Sequence, residues 1–120
     1  MGSLLLFVPF AVAVVLIVAA IRRFSRARRI ATAKVINVST ATRMSALLSA
    51  VLMLGLSTFV LLQLSPQLWI RFAAGAGLAG GLEQVSLAAS RGRDWLVWQN
   101  RVFAGIFIML AILIVAAELL

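Results

Sequence analysis

Three long stretches of this sequence carry almost no charge, and they constrain the fold more than any other feature. They run from Leu4 to Ile21, from Met44 to Leu64 and from about Val102 to Leu120. A helix needs about 20 mainly apolar residues to cross a bilayer. Of the 120 residues, 64% are hydrophobic and only 12% are charged, an excess that a water-soluble fold of this size cannot bury. We therefore expect an all-α integral membrane protein, with one membrane domain over residues 1–120.

The segment 67–90 is long enough to form a further span, but it carries Arg71, Glu83 and four glycines. Ser65 and Pro66 before it read as an N-cap followed by a proline at the first helical position. These signals favour four transmembrane helices in an up-down bundle. The alternative is a three-helix topology in which 67–90 is a re-entrant segment.

The four-helix interpretation gives spans at about 4–21, 44–64, 67–90 and 95–120. A turn rich in arginine and glycine separates the last two, and Asp94 is placed to cap the final helix. Pro9 falls near the start of the first span, where a helix tolerates proline best.

The basic residues predict the orientation. Seven of the eleven lie in the loop 22–43, so the positive-inside rule makes this loop cytoplasmic and places the N-terminus outside. With four spans the C-terminus is also outside, and every basic residue except Arg71 falls on the inner side. The same frame puts Trp69 at the outer interface and Trp95 and Trp98 at the inner one, as an aromatic belt requires.

No charge precedes the first apolar run, because Met1, Gly2 and Ser3 are neutral at their side chains. A secretory signal carries its positive charge before the apolar segment, whereas here the arginines follow it. The pattern predicts an uncleaved anchor with its N-terminus outside. We expect a multi-pass protein of a bacterial inner membrane or an equivalent plasma membrane.

Five arginines form the densest charge cluster, at positions Arg22, Arg23, Arg26, Arg28 and Arg29. The cluster directly abuts a span, which favours orientation of the chain and contact with anionic lipid headgroups. Docking of a cytoplasmic partner is an alternative. Nucleic acid is the least favoured ligand, although basic clusters do neutralise phosphates.

Residues 30–43 are too polar to span and too apolar for a free linker. They either extend the first helix beyond the membrane or lie along the interface. The best place for a break is Asn37–Thr40, with Ser39 or Thr40 capping the second span.

Small residues recur on one face of the third predicted span. Ala73, Gly77 and Gly81 follow one another at four-residue spacing, and Gly80 adds to the same region. Small side chains let two helix backbones approach closely in lipid. We expect this face to pack against the neighbouring helices of the chain itself or against another subunit.

Glu83 is the candidate proton or cation site. A carboxylate inside a membrane span is costly and is by default a functional candidate. The structural alternative is that it accepts hydrogen bonds from a Ser or Thr on a neighbouring helix, or pairs with Arg91 or Arg93.

The sequence contains no His and no Cys. This removes the usual ligands of haem, zinc, copper and iron–sulfur clusters, and it removes His-based triads and Cys nucleophiles. We expect no catalytic residue, no cofactor and no metal.

The leading hypothesis is therefore a non-catalytic accessory or structural subunit of a larger membrane complex, packed through its glycine-rich third helix. The alternatives are a small homo-oligomeric channel or proton- or cation-coupled transporter that uses Glu83, and a holin-like pore former. The expected partners are membrane lipids and other membrane subunits or further copies of the chain.

Overall fold

A computed structural model of the chain describes residues 2–32, 38–63 and 67–119, with side chains in the first range from Phe7 onward. These residues form four α-helices and, within the ranges given, no strand. The helices are α1 (Gly2–Thr32), α2 (Thr40–Leu62), α3 (Leu68–Ala88) and α4 (Arg93–Leu119). The all-α class is confirmed. Three of the helices, α1, α2 and α4, are long and apolar enough to cross a membrane.

The first helix is longer than its apolar run and continues to Thr32. The arginine cluster therefore lies on the last turns of α1, which is the extended form that the sequence allowed. Ser39 is the N-cap of α2, since its Oγ accepts a hydrogen bond of 3.1 Å from the backbone N–H of Thr42. The predicted cap is confirmed, while Asn37 and Lys34 lie outside the described residues.

Pro9 lies near the start of α1 but inside it, because the helix begins at Gly2. One predicted helix end is wrong. Asp94 is not the cap of α4, since this helix begins one residue earlier at Arg93; Asp94 lies in the first turn, where its charge still suits the helix dipole. The N-cap of α3 is Gln67. The predicted cap at Ser65 and Pro66 lies outside the described residues.

The four helices form an elongated layer of 50 × 26 × 20 Å in the order α2, α3, α4, α1, and the layer curves so that α1 also contacts α3. The helix α4 packs on both α1 and α3, whereas among the described residues α2 packs on α3 alone. Within the described ranges, α1 and α2, neighbours in sequence, do not pack against each other. The glycine-rich α3 thus has a helix on each side.

Neighbouring helices run antiparallel. Along α2 and α3, Ser57 meets Gly77, and Arg43 near the start of α2 meets Ala88 at the end of α3. Along α1 and α4, Arg23 meets Phe107. The end of α1, the start of α2, the end of α3 and the start of α4 therefore lie at one end of the molecule, which we call the basic end. Of the described basic residues, only Arg71 lies toward the opposite end.

Small residues bring α1 and α4 together. Ala13, Ala20 and Ala27 are buried and are spaced seven residues apart along α1, so they share one helix face. On α4, Ala104 and Ala111 have the same spacing and are also buried. Alanine on both helices permits close backbone approach, which in lipid takes the place of a hydrophobic driving force.

Candidate functional site

Glu83 and Arg23 form a buried ion pair that joins α3 to α1. Arg23 Nε donates to Glu83 Oε2 at 2.6 Å, and Arg23 Nη2 donates to Glu83 Oε1 at 2.7 Å. The Glu83 side chain is 4% exposed and that of Arg23 is 17% exposed. This two-point geometry is the strongest form of an arginine–carboxylate contact, because both donors and both acceptors are aligned.

A side chain of α4 completes the site. The guanidinium carbon of Arg23 lies 4.4 Å from the ring centroid of Phe107 on α4, a cation–π distance. Arg23 Nη1 donates to the carbonyl of Ala19, one turn earlier on its own helix, at 3.0 Å. The guanidinium is thus held by α1, α3 and α4 at once. We call Arg23, Glu83 and Phe107 the three-helix clamp.

The sequence identified Glu83 but not its partner. It suggests Arg91 or Arg93, which lie near Glu83 along the chain, whereas the structure pairs it with Arg23, sixty residues away. Arg23 is one of the five arginines expected at lipid headgroups. Its side chain turns inward instead, because α1 and α3 run parallel and present the two residues at the same level. The helix periodicity distinguishes Arg23 from the other four arginines of the cluster. Arg23 lies three residues after Ala20 and four before Ala27, and therefore on the packing face of α1.

The other members of the arginine cluster behave differently. Arg22, Arg26, Arg28 and Arg29 are all exposed. Of the described residues, no carboxylate forms a salt bridge with any of these four.

A second cluster of polar side chains lies about one turn of α3 further toward the basic end. Ser86 Oγ donates to Oε1 of the buried Gln99 at 2.8 Å. Trp95 Nε1 lies 3.0 Å from both the Ser86 carbonyl and Ser86 Oγ. Asn100 is also buried, and its Nδ2 donates to the Leu96 carbonyl at 2.8 Å. The bonds of Ser86 with Gln99 and Trp95 thus link α3 to the first turns of α4, while the Asn100 bond stays within α4.

The last four carbonyls of α3 have no partner within the helix and are satisfied by other groups. Backbone N–H groups of Ala89 and Ser90 donate to two of them, those of Val85 and Leu87. Trp95 donates to the Ser86 carbonyl, and Arg43 Nη1 donates to that of Ala88 at 2.8 Å. The last carbonyl groups of any helix lack partners within it, and other donors supply them here. Side chains of α2 and α4 therefore hold the end of α3.

The glycine face of α3 lies against α2. A Cβ atom on Gly77 would collide with Ser57 Oγ, and one on Gly81 would lie 2.7 Å from Leu54 Cγ. A Cβ atom on Gly80 would lie 3.3 Å from the sulfur of Met53. At Gly77 and Gly81 the side chains of α2 occupy the space of a Cβ atom, so any larger residue there would force them to shift.

Ala73 lies further along α3, partly buried against the core between the helices. With Gly77, Gly80 and Gly81 it completes the set of packing residues expected from the sequence. Because α2 covers the three glycines, they are not an open surface for another subunit.

The comparisons with known proteins give no relative. No family model, curated protein or solved structure matches the chain.

In the three-helix clamp the two charged groups are already paired with each other. Each carboxylate oxygen of Glu83 already accepts a charge-assisted hydrogen bond. Removing one partner from such a pair leaves an uncompensated buried charge, at a cost of about 3–5 kcal/mol. The arrangement is therefore suited to fixing the relative positions of α1, α3 and α4.

Proposed function

We propose that the protein is a non-catalytic integral membrane protein that crosses the membrane four times, with its N- and C-termini outside. Three helices are apolar enough to span, and the fourth, α3, is a continuous helix between two of them. Its 21 residues correspond to about 32 Å, close to the thickness of the hydrocarbon layer. This continuity supports a span over a re-entrant segment.

Reporter fusions test this topology. A reporter inserted after Ser90 is expected in the cytoplasm and one after Leu120 outside, because the basic end faces inward. The three-span arrangement requires both positions to be reversed. A reporter at residue 34, between α1 and α2, is the matched control, since both arrangements place it inside.

We further propose that the protein acts as a structural or accessory subunit of a membrane complex. The observation that carries this proposal is the three-helix clamp, in which the embedded carboxylate is paired with an arginine and enclosed by a third helix. Such a pair supports a fixed helix arrangement that can be presented to other membrane proteins. Since α2 covers the glycine face of α3, contact with a partner falls on other surfaces of the helix layer.

Gentle solubilisation followed by sizing and mass spectrometry tests the subunit role. We expect a stoichiometric membrane protein to co-purify with the chain. The exchanged pair, Arg23→Glu with Glu83→Arg, should retain this partner, whereas either single change should reduce its recovery. A discrete monomer with an activity of its own and no co-purifying protein would overturn the proposal.

A transporter or channel that uses Glu83 is the second candidate, and the burial of this acid within the helix layer favours it. Flux measured in proteoliposomes separates the two roles. A proton or cation pathway requires flux that is lost in Glu83→Gln and not recovered in the exchanged pair. A holin-like pore former would instead show toxicity on expression.

A further inference from the structure

We propose that the outer face of α1 binds one anionic phospholipid of the inner leaflet. An acyl chain lies in a shallow apolar groove along the helix, and the phosphate lies between Arg22 and Arg26. The inference rests on the proposed function only in that α1 crosses the membrane with its basic end inside.

The groove follows two rows of side chains at four-residue spacing, which form ridges on any helix surface. One row begins with Val14 and Val18, and the other with Val15 and Ala19. Ala19 is the smallest of these residues, so the surface is lowest beside it. Val14 and Val15 are 59% and 64% exposed, so neighbouring helices do not cover the groove.

Arginines close the groove at the basic end. The row of Val14 and Val18 continues with Arg22 and Arg26, and the row of Ala19 continues with Arg23. Arg23 is already paired with Glu83, so the remaining positive charge on this face belongs to Arg22 and Arg26. Residues four apart on a helix are neighbours, about 6 Å between Cβ atoms, so both guanidinium groups reach a single phosphate.

Among the described residues, no carboxylate forms a salt bridge with Arg22 or Arg26. The chain has eleven basic and three acidic residues, and none of the three acids lies in 22–43. Within the described part of the chain, the salt bridge of Glu83 is made with Arg23, not with Arg22 or Arg26. An anion is therefore the complementary ligand.

The apolar half of the groove identifies this anion as a lipid and not as free phosphate. From Val14 to Arg22 the helix rises about 12 Å, most of the roughly 15 Å of hydrocarbon in one leaflet. An acyl chain parallel to α1 therefore reaches from the level of the arginines past both rows of valines. Free phosphate has no group that uses this surface.

Lipid retention tests the site. The protein is reconstituted in phosphatidylcholine nanodiscs containing a minor fraction of phosphatidylglycerol, then extracted in mild detergent, and the bound lipid is counted by native mass spectrometry. We expect one phosphatidylglycerol per chain. The double variant R22Q/R26Q should bind it about thirtyfold more weakly, the ratio for two cations that each contribute about 1 kcal/mol near the surface.

The matched control is R28Q/R29Q, which removes the same charge from the same helix but outside the groove. Retention should fall far less in this variant. Equal loss in both double variants would overturn the proposal, because it would show attraction by net charge alone. Retention of phosphatidylcholine and phosphatidylglycerol in equal amounts would overturn it as well.

Ala19→Phe tests the apolar half without changing any charge. The phenyl ring fills the lowest part of the groove, so phosphatidylglycerol retention should fall while binding of inorganic phosphate is unchanged. Displacement of the lipid by millimolar inorganic phosphate, or full retention in Ala19→Phe, would contradict an acyl chain in the groove. The reporter fusions remain a separate measurement, so a correct topology without lipid retention would reject this site alone.

Discussion

The helices α2 and α3 pack against each other, yet they use their side chains in opposite ways. On α2 the buried residues are small or polar, namely Ala46, Ala50 and Ser57. Its large apolar side chains point outward, with Leu48 and Leu52 both about two-thirds exposed. The more dilute α3, with its glycines and its glutamate, buries more of its residues.

The difference follows from the number of neighbouring helices that α2 and α3 each have, and from the lipid that surrounds a membrane protein. Lipid tails are as apolar as leucine, so an outward leucine on α2 loses nothing in a bilayer. The helix α3 has α2 on one side and α4 on the other, which shields Glu83 and leaves little room for large side chains. In this pair of helices, small and polar residues thus lie on the surface that protein covers, while the large apolar residues of α2 point outward, as suits a surface that faces lipid. Four substitutions, taken in order of decreasing effect, test this contrast.

The largest effect is expected at the three-helix clamp. Glu83→Ala leaves the Arg23 guanidinium partly buried without its carboxylate, and we expect a loss of about 3 kcal/mol in the free energy of unfolding. Unfolding in mixed micelles titrated with SDS measures this loss. The exchanged pair Arg23→Glu with Glu83→Arg should recover part of it.

Arg28→Ala is the matched control for this test, because Arg28 is an exposed arginine on the same helix that lies outside both the three-helix clamp and the groove. Its effect should stay within about 0.5 kcal/mol. Equal losses in Arg28→Ala and Glu83→Ala would show that the pair adds no specific stability, and the contrast between buried α3 and exposed α2 would lose its main support.

The next effect is expected where α3 touches α2. Gly81→Ala introduces a Cβ atom 2.7 Å from Leu54 Cγ, and the overpacking should cost about 1–3 kcal/mol. Gly55→Ala on α2 is the control, since a Cβ atom there has no neighbour within 4 Å. Without a clash, alanine should stabilise that helix by up to about 1 kcal/mol. The same sign in both variants would contradict the proposed close contact.

The sequence predicts those features of the molecule that depend on residues near one another in the chain, and it misses those that depend on distant residues. The helices, the cap at Ser39 and the small face of α3 follow from local patterns that need no knowledge of neighbours. The pairing of Arg23 with Glu83 does not, because it depends on the order of the helices in the layer. An up-down bundle leaves open whether α1 lies beside α2 or beside α4, and only the second arrangement brings Arg23 to Phe107.

A smaller effect is expected at the end of α3 that α2 supports. Arg43→Gln removes the donor to the Ala88 carbonyl, and interhelical hydrogen bonds in membrane proteins contribute about 0.6 kcal/mol on average. Faster amide hydrogen exchange should therefore appear in the last turn of α3 and the turn after it. Arg101→Gln, an exposed position on α4, should leave these amides unchanged. Uniform acceleration along α3 would instead indicate global loosening.

The smallest effect is expected on the outward face of α2. Leu52 is 66% exposed, so Leu52→Ala exchanges leucine–lipid contact for alanine–lipid contact and should change the free energy of unfolding by less than about 0.5 kcal/mol. Leu110→Ala on α4 removes the same atoms from a buried site and should cost about 2–5 kcal/mol. Equal losses would show that the outward face of α2 is protein-covered. If Leu52→Ala keeps its stability but loses a co-purifying protein, that face is where the partner binds.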